Sequence, residues 1–167
     1  SDGTQDVVRK ISEHVDRVAL LDRSGKPIKG LSASAWEGIL QCKTKFFVVI
    51  DGDNQHPPEY LYKCFRSLEL GADISLGARE PFATKWRLFR IITSAIASSL
   101  AKFRLILNGV TIYDPMTGFF GGRTEFVKDI YKNNSHRMVL LGYKILFDIL
   151  KVIPPDTNLS GFYFPFG

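Results

Sequence analysis

In Phe46-Phe47-Val48-Val49-Ile50-Asp51-Gly52-Asp53-Asn54-Gln55-His56-Pro57-Pro58-Glu59, an apolar run gives way at once to an acidic turn, and the turn to a proline pair. A continuous apolar run of this length predicts a strand buried on both faces. Proline suits the first turn of a helix, so Pro57-Pro58-Glu59 predicts a helix running to about Leu70. Outward from this core the alternation continues. Ser32–Cys42 reads as a helix after Gly30, Ile74–Leu76 as a second buried strand, Thr124–Tyr131 and Tyr143–Val152 as helices, and Gly161–Phe166 as strand-like. Val18–Leu21 is a further short apolar run. Asp2 or Thr4 is placed to cap a helix carrying Val7, Val8, Ile11 and Val15 on one face. Such alternation predicts a three-layer α/β/α domain with a mostly parallel sheet.

Ligands of open α/β sheets bind at the carboxyl ends of strands, where Asp51-Gly52-Asp53-Asn54-Gln55 falls. If the chain stays extended there, alternate positions share a face, which aims Asp51, Asp53 and Gln55 the same way. Two carboxylates and an amide oxygen are hard donors suited to Mg²⁺ or Mn²⁺, with phosphate oxygens completing the shell. Gly52 allows close approach of the backbone to a ligand. A bare Asp-x-Asp serves equally well as a polar turn capping the next helix, and both readings stand at this point.

The bulk properties bound the partners. The 167 residues suffice for one domain with a sizeable core, and 45% hydrophobic and 23% charged residues are ordinary for a globular chain. A formal net charge of +5 favours anionic partners without choosing among phosphates, nucleotides, acidic lipid headgroups and nucleic acid. Cys42 and Cys64 lie apart, away from metal-ligand spacing, and read as reduced buried thiols. The longest apolar segment, Trp86–Leu107, is broken by Arg87, Arg90, Lys102 and Arg104 and does not suit a membrane span. Within it Arg87, Arg90, Ser94 and Ser98 fall at helical spacing opposite Phe89, Ile92, Ile96 and Leu100. A cationic stripe with small hydroxyls suits a phosphate headgroup; solvated arginines on an ordinary surface helix give the same pattern.

The stretch Asp51–Glu59 resembles the D-x-D-x-Q-H-P-P-E sequence of dolichyl-phosphate mannose synthases, inverting GT-A glycosyltransferases of family 2. Further stretches agree in order. Asp2-Gly3-Thr4 resembles the end of D-D-x-S-x-D-G-T, and Gly30-Leu31-Ser32 with Ala35 and Gly38 resembles G-L-x-x-A-x-x-x-G. Gly77-Ala78-Arg79 resembles G-S-R, Asp114–Phe119 resembles D-P-x-S/T-G-F, and Gly142-Tyr143-Lys144 with Asp148 resembles G-Y-K-x-x-x-E/D. The resemblance spans essentially the whole chain as one catalytic domain, 1–167. The family's opening P-x-Y-N-E strand, its D-D pair and its stretch past the last strand are not in this sequence, so the resemblance implies a domain truncated at both ends relative to the family, with an incomplete nucleoside pocket in these residues.

The resemblance implies roles residue by residue. Asp53 and Gln55 would hold the metal, and Asp51 would contact the nucleotide-sugar. Arg79, Arg90 and Ser94 would bind phosphate, and Asp2 would sit near the nucleotide. Asp114 and Thr117 would lie in the loop that receives acceptor or donor sugar, and Tyr143 and Lys144 would line the acceptor side. Residue chemistry leaves rivals beside several of these. Asp114 also suits a turn cap before Pro115; Lys144 and Asp148 are an ordinary i, i+4 pair; His56 suits a helix start or a further metal ligand.

The implied reaction is metal-dependent, inverting transfer of a hexose to dolichyl or another polyprenyl phosphate, mannose from GDP-mannose being the family's usual donor. A lipid monophosphate is largely dianionic near neutral pH and needs no general base. The alternatives are a family 2 enzyme using UDP-glucose or a sugar-hydroxyl acceptor, an Asp-x-Asp phosphohydrolase with Asp51 as nucleophile, and a non-catalytic nucleotide-binding fragment. The resemblance further implies work at the cytoplasmic face of a membrane, reached peripherally through the Trp86–Leu107 face or through anchoring segments or a subunit outside this chain. Nucleic acid is not expected as a partner.

Overall fold

A computed structural model of the chain describes residues 3–53, 55–80 and 114–165. Asp2, Arg90, Ser94 and the Trp86–Leu107 segment lie outside the described residues. The elements in chain order are α1 (Thr4–Ser12), α2 (Leu31–Gln41), β1 (Phe46–Val49), a 3₁₀ turn (Pro58–Tyr60), α3 (Leu61–Glu69), β2 (Ile74–Arg79), β3 (Phe120–Arg123), α4 (Thr124–Asn134), a second 3₁₀ turn (Ser135–Arg137), α5 (Ile145–Leu150) and β4 (Leu159–Phe164).

The strands form one sheet in the order β1-β3-β2-β4. β2 and β4 pair in parallel, while β3 runs antiparallel to both β1 and β2. Three strands therefore share a direction, and the reversed β3 between two of them makes the sheet mixed. Side chains alternate across it as a pleated sheet requires. On one face Phe47, Ile74, Leu76 and Phe120 join Trp36 and Ile39 of α2, Val127 and Ile130 of α4, and Ile145, Ile149 and Leu150 of α5. On the other, Phe46, Val48, Phe162 and Phe164 pack with Cys64 and Leu68 of α3. Two cores on opposite faces give the three-layer arrangement. Each fully buried Leu, Ile or Phe adds roughly 1.5–3 kcal/mol relative to exposure, which is what orders these short strands.

Several expectations change in detail. Only Phe47 of the Phe46–Ile50 run is buried, because β1 is the last strand of the described sheet and pairs on one side only. A cavity of about 590 Å³ opens along that outer side, lined in part by Ile39, Cys42, Phe46, Val48 and Phe65. Gly3, at φ +80°, rather than a side chain, opens α1, with no side-chain cap bond. Val7, Ile11 and Val15 are exposed rather than packed. Val18–Leu21 forms neither helix nor strand. The prolines do set the start of the next helix: Pro57 is extended, Pro58 begins the 3₁₀ turn, and α3 follows without a break. Cys64 is fully buried, and burial pushes its thiol up to about 11.

Candidate active site

Strand direction explains where the polar residues meet. β1 and β2 point the same way, so Asp51, just past β1, and Arg79, the last residue of β2, lie at one end of the sheet. β3 is reversed, and its first residue Phe120 pairs with Val49 and with Leu76. The loop leading into β3, Asp114–Phe119, therefore arrives at that same end. The Phe119 carbonyl accepts the Gly77 amide at 2.9 Å, which fastens the loop to β2.

The acidic turn is built around His56. The Asp51 amide donates to His56 Nδ1 at 3.0 Å, so Nδ1 is an acceptor and the ring proton belongs on Nε2. Nε2 lies 3.8 Å from Asp51 Oδ2. The imidazole is buried, with its centroid 5.3 Å from that of Phe119 and 5.4 Å from that of Phe164. It is neither an open helix-start residue nor, with Nδ1 occupied, a metal ligand through that nitrogen. Asp53 Oδ1 accepts the Gln55 amide at 3.1 Å, closing the turn, and both side chains are exposed. Gly118 of the β3 loop abuts this assembly: a Cβ there would lie 2.9 Å from Asp51 Oδ2 and 3.3 Å from His56 Cε1. The close approach, not a positive φ, is what requires glycine at 118.

Burial holds the His56 imidazole below its usual 6.5; Asp51 and Asp53 pull it upward and Arg79 pushes it down, and burial prevails. The folded chain thus excludes a proton that the unfolded chain binds below about pH 6.5. Stability from this group is complete above the unfolded value and is lost as pH falls through it toward the lower folded value. The unfolding free energy from urea melts is expected to be level above about pH 7 and to fall below it, with a slope of at most about 1.4 kcal/mol per pH unit. His56→Gln is expected to flatten that slope; an unchanged slope would place the titration elsewhere.

Arg79 and Asp114 join the other two elements. Arg79 Nε donates to Asp114 Oδ2 at 3.1 Å, and the pair is largely shielded. Asp114 Oδ1 accepts the Met116 amide at 3.1 Å, so both carboxylate oxygens are engaged. Asp114 caps a turn and holds an arginine at once. Thr117 is buried, its hydroxyl accepting the Phe119 amide at 3.1 Å, and shapes the loop from within. Lys144 does not pair with Asp148. Its ammonium lies 3.2 Å from Met116 Sδ and 5.1 Å from the centroid of the Tyr143 ring. Asp148 is buried, accepts the Val139 amide at 2.9 Å and pairs with Lys151. Tyr143 is exposed.

The structure thus brings together Asp51, Arg79, Asp114 and Thr117, with Lys144 reaching the same loop at Met116 and with Asp53 and Gln55 exposed. Among the described residues no three His, Cys, Asp or Glu side chains converge on a preformed metal cage. The donors nonetheless suit a cation that keeps several ligand positions for phosphate: two carboxylates and an amide oxygen in one turn, with Asp53 and Gln55 exposed. Sequence reasoning missed the His56–Gly118 contact. No local signal marks it, since the ring rests on Phe119 and Phe164, which lie far downstream.

An α/β sheet with acidic and cationic residues gathered at its strand ends defines an α/β domain whose candidate site lies where such sheets bind ligands. The glycosyl transferase family 2 profile matches residues 1–131, and the chain belongs to that family. It is 35% identical over 126 residues to a dolichol-phosphate mannosyltransferase of Pyrococcus furiosus, covering 73% of this chain and 34% of the relative. It is 28% identical over 174 residues to a dolichol-phosphate mannosyltransferase of Saccharomyces cerevisiae, covering 99% of this chain and 61% of the relative. The chain spans between about a third and three-fifths of the length of these curated relatives. A solved structure of a mycobacterial protein superposes with a TM-score of 0.50 at 15% identity, covering 91% of this chain and 46% of that one, a likeness of fold. The architecture is the GT-A fold of the family, in a form with four described strands.

Proposed function

We propose that this chain forms most of the catalytic domain of an enzyme that transfers mannose from GDP-mannose, with inversion, to dolichyl or another polyprenyl phosphate at the cytoplasmic face of a membrane. The relatives named dolichol-phosphate mannosyltransferase support the acceptor and the sugar. The observation that carries the reading is the state of Asp114. Both of its oxygens are occupied, one by the Arg79 guanidinium and one by the Met116 amide. These bonds fix the carboxylate as the holder of Arg79, a positioning role that suits a phosphate acceptor, which has no proton to give and needs no base.

In this reading a phosphate oxygen attacks the anomeric carbon, and the nucleoside diphosphate departs with the electrons of the broken bond. The obstacle is the approach of two anions, which cationic groups relieve. Arg79, held in place by Asp114, and Lys144, beside Met116, supply positive charge at the loop. Arg90 and Ser94, outside the described residues, are assigned to the acceptor phosphate with them. Asp51, fixed through its own amide by His56, faces the donor, and Tyr143 offers an exposed ring to the acceptor side. Asp53 and Gln55 would hold Mg²⁺ or Mn²⁺, which would supply charge opposite the donor diphosphate.

The test is transfer of label from GDP-mannose or UDP-glucose to dolichyl phosphate in the presence of Mn²⁺, read as label in the organic phase. Asp114→Asn is expected to keep measurable transfer, reduced about tenfold by a weaker hold on Arg79. Complete loss in a variant that melts normally would instead favour a hydroxyl acceptor and an obligatory base. Absence of label from either donor in a protein that includes the family's opening strand would refute the lipid-phosphate reading.

A further inference from the structure

Beside the candidate site, two segments are pressed together whose largest exposed side chains are apolar. Leu31, Val139, Leu141 and Tyr143 are 57%, 56%, 77% and 72% exposed, unusual values for large apolar residues so close in the fold. Their backbones are joined directly: the Ser32 amide donates to the Gly142 carbonyl at 3.0 Å and the Ala33 amide to the Leu140 carbonyl at 3.2 Å. A Cβ on Gly30 would lie 2.1 Å from the Leu140 oxygen, so only glycine permits this contact. The turn is also anchored from within. Met138 is buried, Leu140 packs against the core, and the Val139 amide is held by buried Asp148. Val139 and Leu141 are consequently presented outward on a fixed turn.

The charge next to them is net positive: Glu37, on α2, is already paired with Arg23 and Lys26, and Asp148 is buried. Residues 27–36 and 135–147 contain Lys29, Arg137 and Lys144 and neither Asp nor Glu. The exposed stripe of α1 differs: Val7, Ile11 and Val15 sit among Asp6, Glu13 and Asp16 as well as Arg9, Lys10 and Arg17. Apolar tips rimmed by cations fit the boundary between headgroups and acyl chains of an anionic bilayer, whereas a charge-balanced stripe gains nothing from anionic lipid. The surface is also continuous with the site, since Lys144 follows Tyr143 and reaches Met116 of the loop that carries Asp114.

We infer that Leu31 and the 139–143 turn, rimmed by Lys29, Arg137 and Lys144, form the surface by which the protein docks onto an anionic lipid bilayer. The inference rests on the lipid-phosphate reading above and assigns the docking to a surface other than the Trp86–Leu107 segment. Docked this way, the turn lies at headgroup depth, and the Lys144 side of the loop faces the level at which a polyprenyl phosphate presents its phosphate.

Flotation of the protein with vesicles of phosphatidylcholine, alone or with phosphatidylserine, tests the assignment without donor or polyprenyl phosphate. The protein is expected to float with the anionic vesicles and to bind the neutral ones more weakly, by about fivefold per engaged cation. Leu31→Asp with Leu141→Asp is expected to weaken binding by about a hundredfold, from about tenfold per lost leucine. Both positions are exposed, and an unchanged urea midpoint would show the fold intact. Ile11→Asp on α1 is expected to bind like the parent protein. The inference is overturned if the parent protein does not float with anionic vesicles, if the double variant floats as well as the parent, or if Ile11→Asp loses as much. Vesicle binding without any sugar transfer would leave this surface standing and count against the transferase reading alone.

Discussion

Asp53→Ala is expected to remove Mn²⁺-dependent donor binding and to lower transfer by about a thousandfold, while leaving the melting temperature almost unchanged. The two effects separate because Asp53 does so little for the fold. Its side chain is exposed, and among the described residues it accepts the Gln55 amide at 3.1 Å. Loss of one solvent-exposed bond of this kind costs about 0.5–1.5 kcal/mol at most. Its place in the site is another matter: it stands two residues past Asp51, at the strand end where the donor diphosphate would gather cations. Asp53→Asn sharpens the test. The amide oxygen can still accept from Gln55 and keep the turn, but the charge is gone. Calorimetry of GDP-mannose binding with and without Mn²⁺, together with initial rates, should find the Asn variant nearly as impaired as the Ala variant. Full metal-dependent binding in either would remove Asp53 from the metal site.

The acidic turn shows how far one sequence carries. Asp51-x-Asp53-x-Gln55 was legible because a polar cluster directly after Phe46–Ile50 has to lie at a strand end, and strand ends are where such sheets bind ligands. The proline pair likewise marked the start of the next helix, since Pro57 and Pro58 restrict the backbone locally. What periodicity does not encode is strand order. The apolar run suggested a strand covered on both sides, yet β3 lies between β1 and β2 and leaves β1 outermost in the described sheet. Partner choice was equally hidden. Lys144 and Asp148 have the right spacing for a pair, but α5 begins only at Ile145, and the buried Asp148 takes Lys151 and the Val139 amide instead. The slot for His56 is made by Phe119 and Phe164, more than sixty and one hundred residues downstream, so burial of that ring follows from the tertiary fold alone.

Gly118→Val should lower transfer by at least about a hundredfold and destabilise the domain by roughly 1–3 kcal/mol, the usual range for an overpacked contact. Two neighbours stand in the way, and they can yield to different degrees. Asp51 Oδ2, 2.9 Å from where a Cβ would be, ends a half-exposed side chain that can swing away. His56 Cε1, at 3.3 Å, belongs to a buried ring packed against Phe119 and Phe164 and bonded to the Asp51 amide. Gly118→Ala should therefore be met mainly by displacement of the Asp51 carboxylate: stability nearly kept, donor binding weakened. The γ-methyls of Val add a push on the imidazole, so stability falls too, and the Asp51–Asp53 turn shifts with its anchor. Urea melts and donor titrations on both variants separate the two steps. A Val variant with parent-like donor affinity would mean that Asp51 can leave this position without consequence, and its assignment to the donor would then fail. An Ala variant as unstable as Val would place the strain on His56 rather than on the carboxylate.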